Sequence, residues 1–422
     1  MRCLAFLLLT ASPLLAADDW NQFRGPTGDG IAPASSKPPV KWSEKENVRW
    51  KTAIHDKGWS SPVVWGDKVW VTTAQEKGKS FYVLGLDVNT GKVLHDLHLF
   101  DVNPLDTNDP KDVSQYNSYA SPTPVVEAGR LYAHFGSHGT VCLDTNTGEK
   151  IWERRDLLCN HFRGPASSPI VYKDWLYLTF DGFDPQYIVC LNKKTGETVW
   201  RKDRTLPYKN SGNPKTDNDY KKAYATPSVF EIDGKPQLVS SAAMGTIAYD
   251  PATGDEIWRV ITDGMNEACR PILAHGLIYL TAGSKSSLFA VKAGMTGDIT
   301  QTGVAWKFVR SAPTKSSPVV VGDLLFFVND TGVPCCLDAK TGKKYWQEGS
   351  FGGKFAASPV YADGRIYFAG ESGKTYVIAA GRQYEPLAKN VLDSGCLASP
   401  AVVGNALLLR THTHLYRIEA GK

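Results

Sequence analysis

LDTNTGEKIW, residues 143–152, is rewritten three times along the chain, as LNKKTGETVW (191–200), YDPATGDEIW (249–258) and LDAKTGKKYW (337–346). In every copy an Asp or Asn stands eight residues ahead of a Trp with Thr-Gly between them: Asp144 and Trp152, Asn192 and Trp200, Asp250 and Trp258, Asp338 and Trp346. The short polar side chain can bond to the backbone just ahead of it, and Gly148, Gly196, Gly254 and Gly342 can take the positive φ that closes a bulged hairpin. Alternating apolar residues on either side read as paired strands. LDVNTGKVLH (86–95) is a weaker copy with His95 at the aromatic position, VKAGMTGDITQTGVAW (291–306) a stretched one ending at Trp306, and IAAGRQYEPLAK (378–389) a decayed one.

A second landmark fixes the count. A small residue precedes Pro at Ser61-Pro62, Thr123-Pro124, Ser168-Pro169, Thr226-Pro227, Ser317-Pro318, Ser358-Pro359 and Ser399-Pro400, with Arg270-Pro271 as the variant. Proline lacks an N–H and is tolerated at the first residue of an edge strand, the place of the innermost strand of a propeller blade. The eight prolines lie 62, 45, 58, 44, 47, 41 and 41 residues apart, a period of the size expected for propeller repeats. Each landmark opens a run of apolar strands that ends in the Thr-Gly hairpin and its aromatic strand, four strands to a unit. The last landmark has room for only three strands before Lys422, and NVRWKTAI (47–54), which resembles the fourth strands around Trp200 and Trp258, precedes the first landmark. The expected fold is therefore all-β: an eight-bladed β-propeller of four-stranded antiparallel blades over residues 42–422, closed by an N-terminal strand that completes the last blade and pairs edges that would otherwise template aggregation.

Residues 1–17, MRCLAFLLLTASPLLAA, place one Arg ahead of an apolar run and then alanines, the layout of a secretory signal peptide. No Cys follows to accept lipid, so the expectation is an exported, periplasmic or secreted chain that is not a lipoprotein, with an N-terminal arm over 18–41. No later stretch is long enough for a membrane helix. Lys and Arg number 47 against 43 Asp and Glu, and without Arg2 the balance is 46 to 43, which gives no reason to expect nucleic-acid binding. A monomer is expected.

The paired phrase and landmark resemble the pyrroloquinoline-quinone (PQQ) repeat, found in quinoprotein alcohol dehydrogenases and in BamB-like outer-membrane assembly propellers. WNQFRGPTGDG (20–30) is also similar to the opening of exported bacterial PQQ-like repeat proteins. The resemblance implies that the hairpin Gly and the Trp lock neighbouring blades together. It also implies two functions. One is a noncatalytic propeller that binds a protein or cell-envelope component; the alternative is an alcohol or sugar oxidoreductase with PQQ and Ca2+ in the channel mouth. The chain is shorter than those dehydrogenases and no catalytic Asp-Glu-Asn constellation can be matched, so binding is the favoured reading, with no cofactor predicted.

The adjacent Cys335-Cys336 invites comparison with the vicinal disulfide of those enzymes, but Cys336 falls at the same third-strand site as Gly85, Cys142, Cys190, Ala248 and Ala290, a site that prefers small side chains. Buried packing is the expected state. Cys159, Cys269 and Cys396 fall in connections before first strands and are expected as free thiols. His412 and His414 could share one strand face as a metal site needs, but no third ligand is identifiable and none is assigned. No nucleophile elbow, phosphate loop or paired-carboxylate motif is legible.

The chain spends its extra residues at 100–121 and 203–225, both linking a fourth strand to the next first strand and so decorating one face, where binding usually resides. Residues just ahead of the first strands are expected to ring the central opening: Lys57, Trp59, Asn117, Tyr119, His161, Arg163, Asn266, Glu267, Arg270, Lys315 and Lys354. A cationic rim beside Trp59 and Tyr119 suits an anionic planar ligand or an acidic peptide; the bland alternative is a solvated rim with no ligand.

Overall fold

A computed structural model describes residues 19–75, 78–105, 117–209 and 219–421. The segment read as a signal peptide, 1–17, lies outside the described residues, as do the middles of both insertions, 106–116 and 210–218. Eight antiparallel sheets follow one another in chain order, each with its first strand innermost. The eighth consists of Ala401–Val403, Ala406–Arg410 and His414–Ile418 with Val48–Ala53 added at its outer edge, where Lys51 faces Tyr416 and Thr52 faces Leu415. Both ends of the described ring thus meet in one sheet, as the repeat offset requires. Blade 4 departs from four strands: the stretched hairpin of blade 5 lends it a two-residue fifth strand, Gly297–Asp298, parallel to Glu256–Ile261. Among the described residues no helix is long and apolar enough to cross a membrane.

The repeated decapeptide explains how blades stay together. Asp144 Oδ1 accepts the N–H groups of Asn146 (2.7 Å) and Thr147 (3.0 Å), and Gly148, at φ +78°, donates to the Asp144 carbonyl. Asp250 and Asp338 repeat the arrangement. The Trp at the end of the hairpin strand then reaches the next blade, except Trp258, whose indole N–H is donated to Gln237 of its own blade. Trp152, Trp200 and Trp306 donate their indole N–H to the carbonyls of Lys193, Pro251 and Ala339 at 3.0, 3.0 and 3.1 Å. Each also covers the next hairpin glycine so closely that a methyl group there would stand 2.8 Å (Gly196, Gly254) or 2.6 Å (Gly342) from the ring. The phrase is a turn plus a clamp, and only glycine meets both demands at its position.

The residue facing each clamp explains the cysteines. Cys142, Cys190, Ala248, Ala290 and Cys336 lie opposite Trp152, Trp200, Trp258, Trp306 and Trp346 in the strand register, so a small apolar side chain is what fits. All seven described cysteines are buried and none is in a disulfide. The core lies between successive blades, as where Val63 and Trp70 of blade 1 pack with Val126 and Leu131 of blade 2.

The arm is part of the ring. Trp20 pairs with Val64 of blade 1, the Asn21 carbonyl accepts the Val126 N–H of blade 2, and Gly30 and Ala32 pair with Tyr361 of blade 7. Between these points the chain crosses the channel at the face of the first-to-second-strand turns and touches the opposite side: Arg270 of blade 5 donates to the Phe23 carbonyl (2.6 Å) and Gln22 Oε1 (3.2 Å), and Arg24 donates to the Ser317 (2.9 Å) and Pro318 carbonyls of blade 6. Lys37 continues to Asn405 of blade 8. Residues 20–30 form a plug.

Candidate functional site

With one mouth stopped by the arm, the channel becomes a cup of about 420 Å3 that opens on the face carrying the insertions, with Phe23 at its floor. That volume falls in the range of small-ligand pockets. Its wall is built by the landmarks. The residue before each proline donates its backbone N–H to the hydroxyl of the next landmark: Ser61 to Thr123, Thr123 to Ser168, Ser168 to Thr226, Ser317 to Ser358, Ser358 to Ser399 and Ser399 back to Ser61, all within 2.8–3.0 Å. Arg270 also donates its N–H to Ser317, but it offers no hydroxyl to Thr226, so the girdle is broken once. The Arg270 side chain turns to the plug instead, bonding Ser228 Oγ and the Phe23 carbonyl. Proline's missing N–H thus tells half of the landmark; the hydroxyl before it is a link between blades.

Of the eleven residues expected at the opening, Trp59, Asn117, Arg163, Asn266 and Lys315 line the cup. Trp59 lies under the Lys57 ammonium, 5.3 Å from the ring centre, and against His412 at 4.8 Å. Asn117 is held by its amide N–H groups, which donate to the Gly164 (3.1 Å) and Pro165 (3.0 Å) carbonyls. Asn266 sits at φ +59°, its Oδ1 buried without a hydrogen-bond partner. Lys315 is 3.9 Å from Asp330. Lys354 is exposed ahead of the first strand of blade 7.

The other expected residues lie elsewhere. Tyr119 packs on Gly78 and beside His138. His161 is wedged between Gly136 and Phe180, and burial together with His138 pulls its pKa to about 3, so it is neutral. Glu267 is buried behind the wall, where its Oε2 accepts the Gly283 N–H (2.7 Å) and the Thr281 hydroxyl (3.3 Å) while Oε1 has no partner. Desolvation raises its pKa well above the ordinary value, against the hydrogen bonds from Gly283 and Thr281, and so disfavours the charged form. Arg270 faces the plug, and burial lowers its pKa to about 9, with the Arg24 charge beside it acting in the same direction.

Sequence reasoning missed the plug, the girdle and the lining residues Phe23, Tyr224 and Thr314. The available signal was the one landmark out of step: an Arg where every other copy has Ser or Thr.

The donor set bears on metal and cofactor chemistry. Ca2+ takes six to eight oxygen ligands, carboxylates prominent among them. Among the described residues no Asp or Glu lines the cup, and the carboxyl of Glu267 behind it is desolvated, which disfavours its charged form. No cluster of three or more His, Cys, Asp or Glu suited to a metal exists among the described residues, His412 and His414 included. Cys335 and Cys336 are buried in two different inter-blade cores. The residues present do not fit a Ca2+-bound quinone.

Known structures share the fold. BamB from Moraxella catarrhalis is similar at 14% identity and a TM-score of 0.61, covering 88% of this chain and 99% of its own. Quinohemoprotein alcohol dehydrogenase from Comamonas testosteroni is similar at 11% identity and a TM-score of 0.68, covering 97% of this chain and 82% of its own. A computationally designed protein, Ika8, is similar at 10% identity and a TM-score of 0.58, covering 86% of this chain and 97% of its own. An assembly factor, an enzyme and a designed chain sharing one fold leave function to be read from the site. No curated protein matches the chain. Over residues 39–155, 111–202 and 184–420 the sequence matches the PQQ-repeat family described as outer membrane protein assembly factor BamB, and the chain belongs to that family.

Proposed function

We propose that this protein is an exported, noncatalytic binding propeller that holds a protein or cell-envelope component on the face where the cup and both insertions open. One observation carries the reading: among the described residues the channel is stopped by Trp20–Gly30 on one side and opens on the other, where both insertions begin. A rigid ring that presents one concave mouth among loops is the arrangement in which scaffolds commonly bind. The family description supports the same class.

The test is positional crosslinking. A photoreactive residue at Lys354, beside the open mouth, is expected to capture a distinct envelope protein, whereas one at exposed Lys194, on the hairpin face, captures none. Capture from position 194 alone would overturn the assignment of the face. The oxidoreductase reading predicts instead a thermal shift with PQQ and Ca2+ and dye reduction with alcohols or sugars; neither response is expected from this donor set.

A further inference from the structure

The girdle leaves an unspent feature. In each link the hydroxyl oxygen accepts a backbone N–H, so its own proton remains to be donated. Among the described residues, none of the six girdle hydroxyls on the cup wall, those of Ser61, Thr123, Ser168, Thr226, Ser358 and Ser399, donates to a protein acceptor, whereas Ser121 and Thr314, also on the wall, donate to Asn117 Oδ1 and Asp330. The six form a collar of O–H donors around one axis. Arg163 and Lys315 stand on the same wall and, among the described residues, no carboxylate does; Asn266 lines it too, while the Asn117 amide N–H groups are already donated to the Gly164 and Pro165 carbonyls. A concave site with donors on all sides and cations at its wall is complementary to an oxyanion.

We infer that the cup receives an acidic side chain or a chain-terminal carboxylate from a partner's peptide segment. The inference rests on the binding reading above and names the chemistry of what is bound. A peptide fits better than a free anion because the wall belongs partly to the insertions: Asn117 and Ser121 come from 100–121 and Tyr224 from 203–225. A chain with its carboxylate in the cup lays its neighbouring residues against Asn117, Ser121, Tyr224 and Trp59.

The probe is a fluorescent hexapeptide alternating Asp and Gly, titrated into the full chain and followed by anisotropy. The Asp peptide is expected to bind with an affinity that falls as salt rises, and its Asn counterpart at least tenfold more weakly. The double variant R163Q/K315Q should lose at least tenfold for the Asp peptide with an unchanged melting temperature. Ser358→Ala removes one collar donor but also one girdle link, so its affinity is read well below its own melting temperature, where a several-fold loss is expected. Equal binding of the Asp and Asn peptides, or glutarate competing as tightly as the peptide binds, would overturn the inference. Crosslinking from position 354 would survive that result, so failure of the cup is distinguishable from failure of the face.

Discussion

A methyl group at Gly28 would stand 2.4 Å from the guanidinium carbon of Arg270, and the residue holds φ at +73°. Two costs coincide there, a left-handed backbone and a collision with the side chain that grips the plug. Gly276 separates them, because its φ is +68° but nothing lies within 4 Å of a methyl group. Gly276→Ala is expected to cost about 1–2 kcal/mol from the backbone alone. Gly28→Ala should cost more, and the difference, read from denaturant melts, measures how firmly the plug is seated; equal costs would show that Arg270 yields freely. Glu267 makes a second prediction. Its folded-state pKa is raised, so its contribution to stability is fully present below the ordinary carboxylate value of 4.5 and is lost as pH rises toward the raised one. Stability should therefore fall above that value, by up to about 1.4 kcal/mol per pH unit. Glu267→Gln keeps an acceptor for Gly283 N–H and should flatten that slope, so melting temperatures of the two proteins diverge as pH rises above the ordinary carboxylate value. Neither effect was legible beforehand. Glu267 reads as a rim residue in sequence, and only its position behind the wall shows that water does not reach it.

The blade-to-blade clamp is the element on which the ring depends, and the Trp does two jobs in it. Trp200 is buried, covers Gly254 and donates to the Pro251 carbonyl. Trp200→Ala should destabilise by about 3–5 kcal/mol, the usual range for emptying an aromatic site in a core. Blade 1 has a natural variant of the clamp: His95 lies opposite Gly85, and Trp70 fills the space, stacked on His95 at 5.3 Å. Space left by a small ring is thus refilled from the second strand, which predicts that Trp152→His is tolerated better than Trp152→Ala in thermal melts. The hairpin was legible because all its parts are within eight residues, each with a local conformational preference. The girdle was not. Ser317 finds its acceptor 41 residues on at Ser358, and no local pattern shows that the hydroxyl, rather than smallness, is what the position requires.

At the scale of the whole molecule, circular closure and the plug are separate devices that one stretch of chain supplies in sequence. The closing strand was legible from arithmetic, since eight landmarks with one strand missing at the end and one spare at the start leave a single arrangement. The plug was not, because an arm that crosses a channel makes contacts with blades 1, 2, 5, 6 and 7 and has no internal repeat to announce them. Removing residues 19–41 tests the first device against the second. The remaining chain keeps Trp42, which packs near Tyr367, and the strand Val48–Ala53, so eight blades should still form. Arg270 would lose the Phe23 carbonyl and Gln22, and the cup would open through its floor; the expected result is a monodisperse protein with a lower melting temperature and weaker binding of the acidic peptide. Extending the deletion to residue 54 removes the partner of His414–Ile418 and leaves that strand's backbone edge unpaired, which should appear as aggregation in size-exclusion chromatography. An unchanged melting temperature after the shorter deletion would mean that the arm merely rests on the ring. Loss of folding after it would mean that the eight blades need the brace across their diameter as much as the strand that joins first to last.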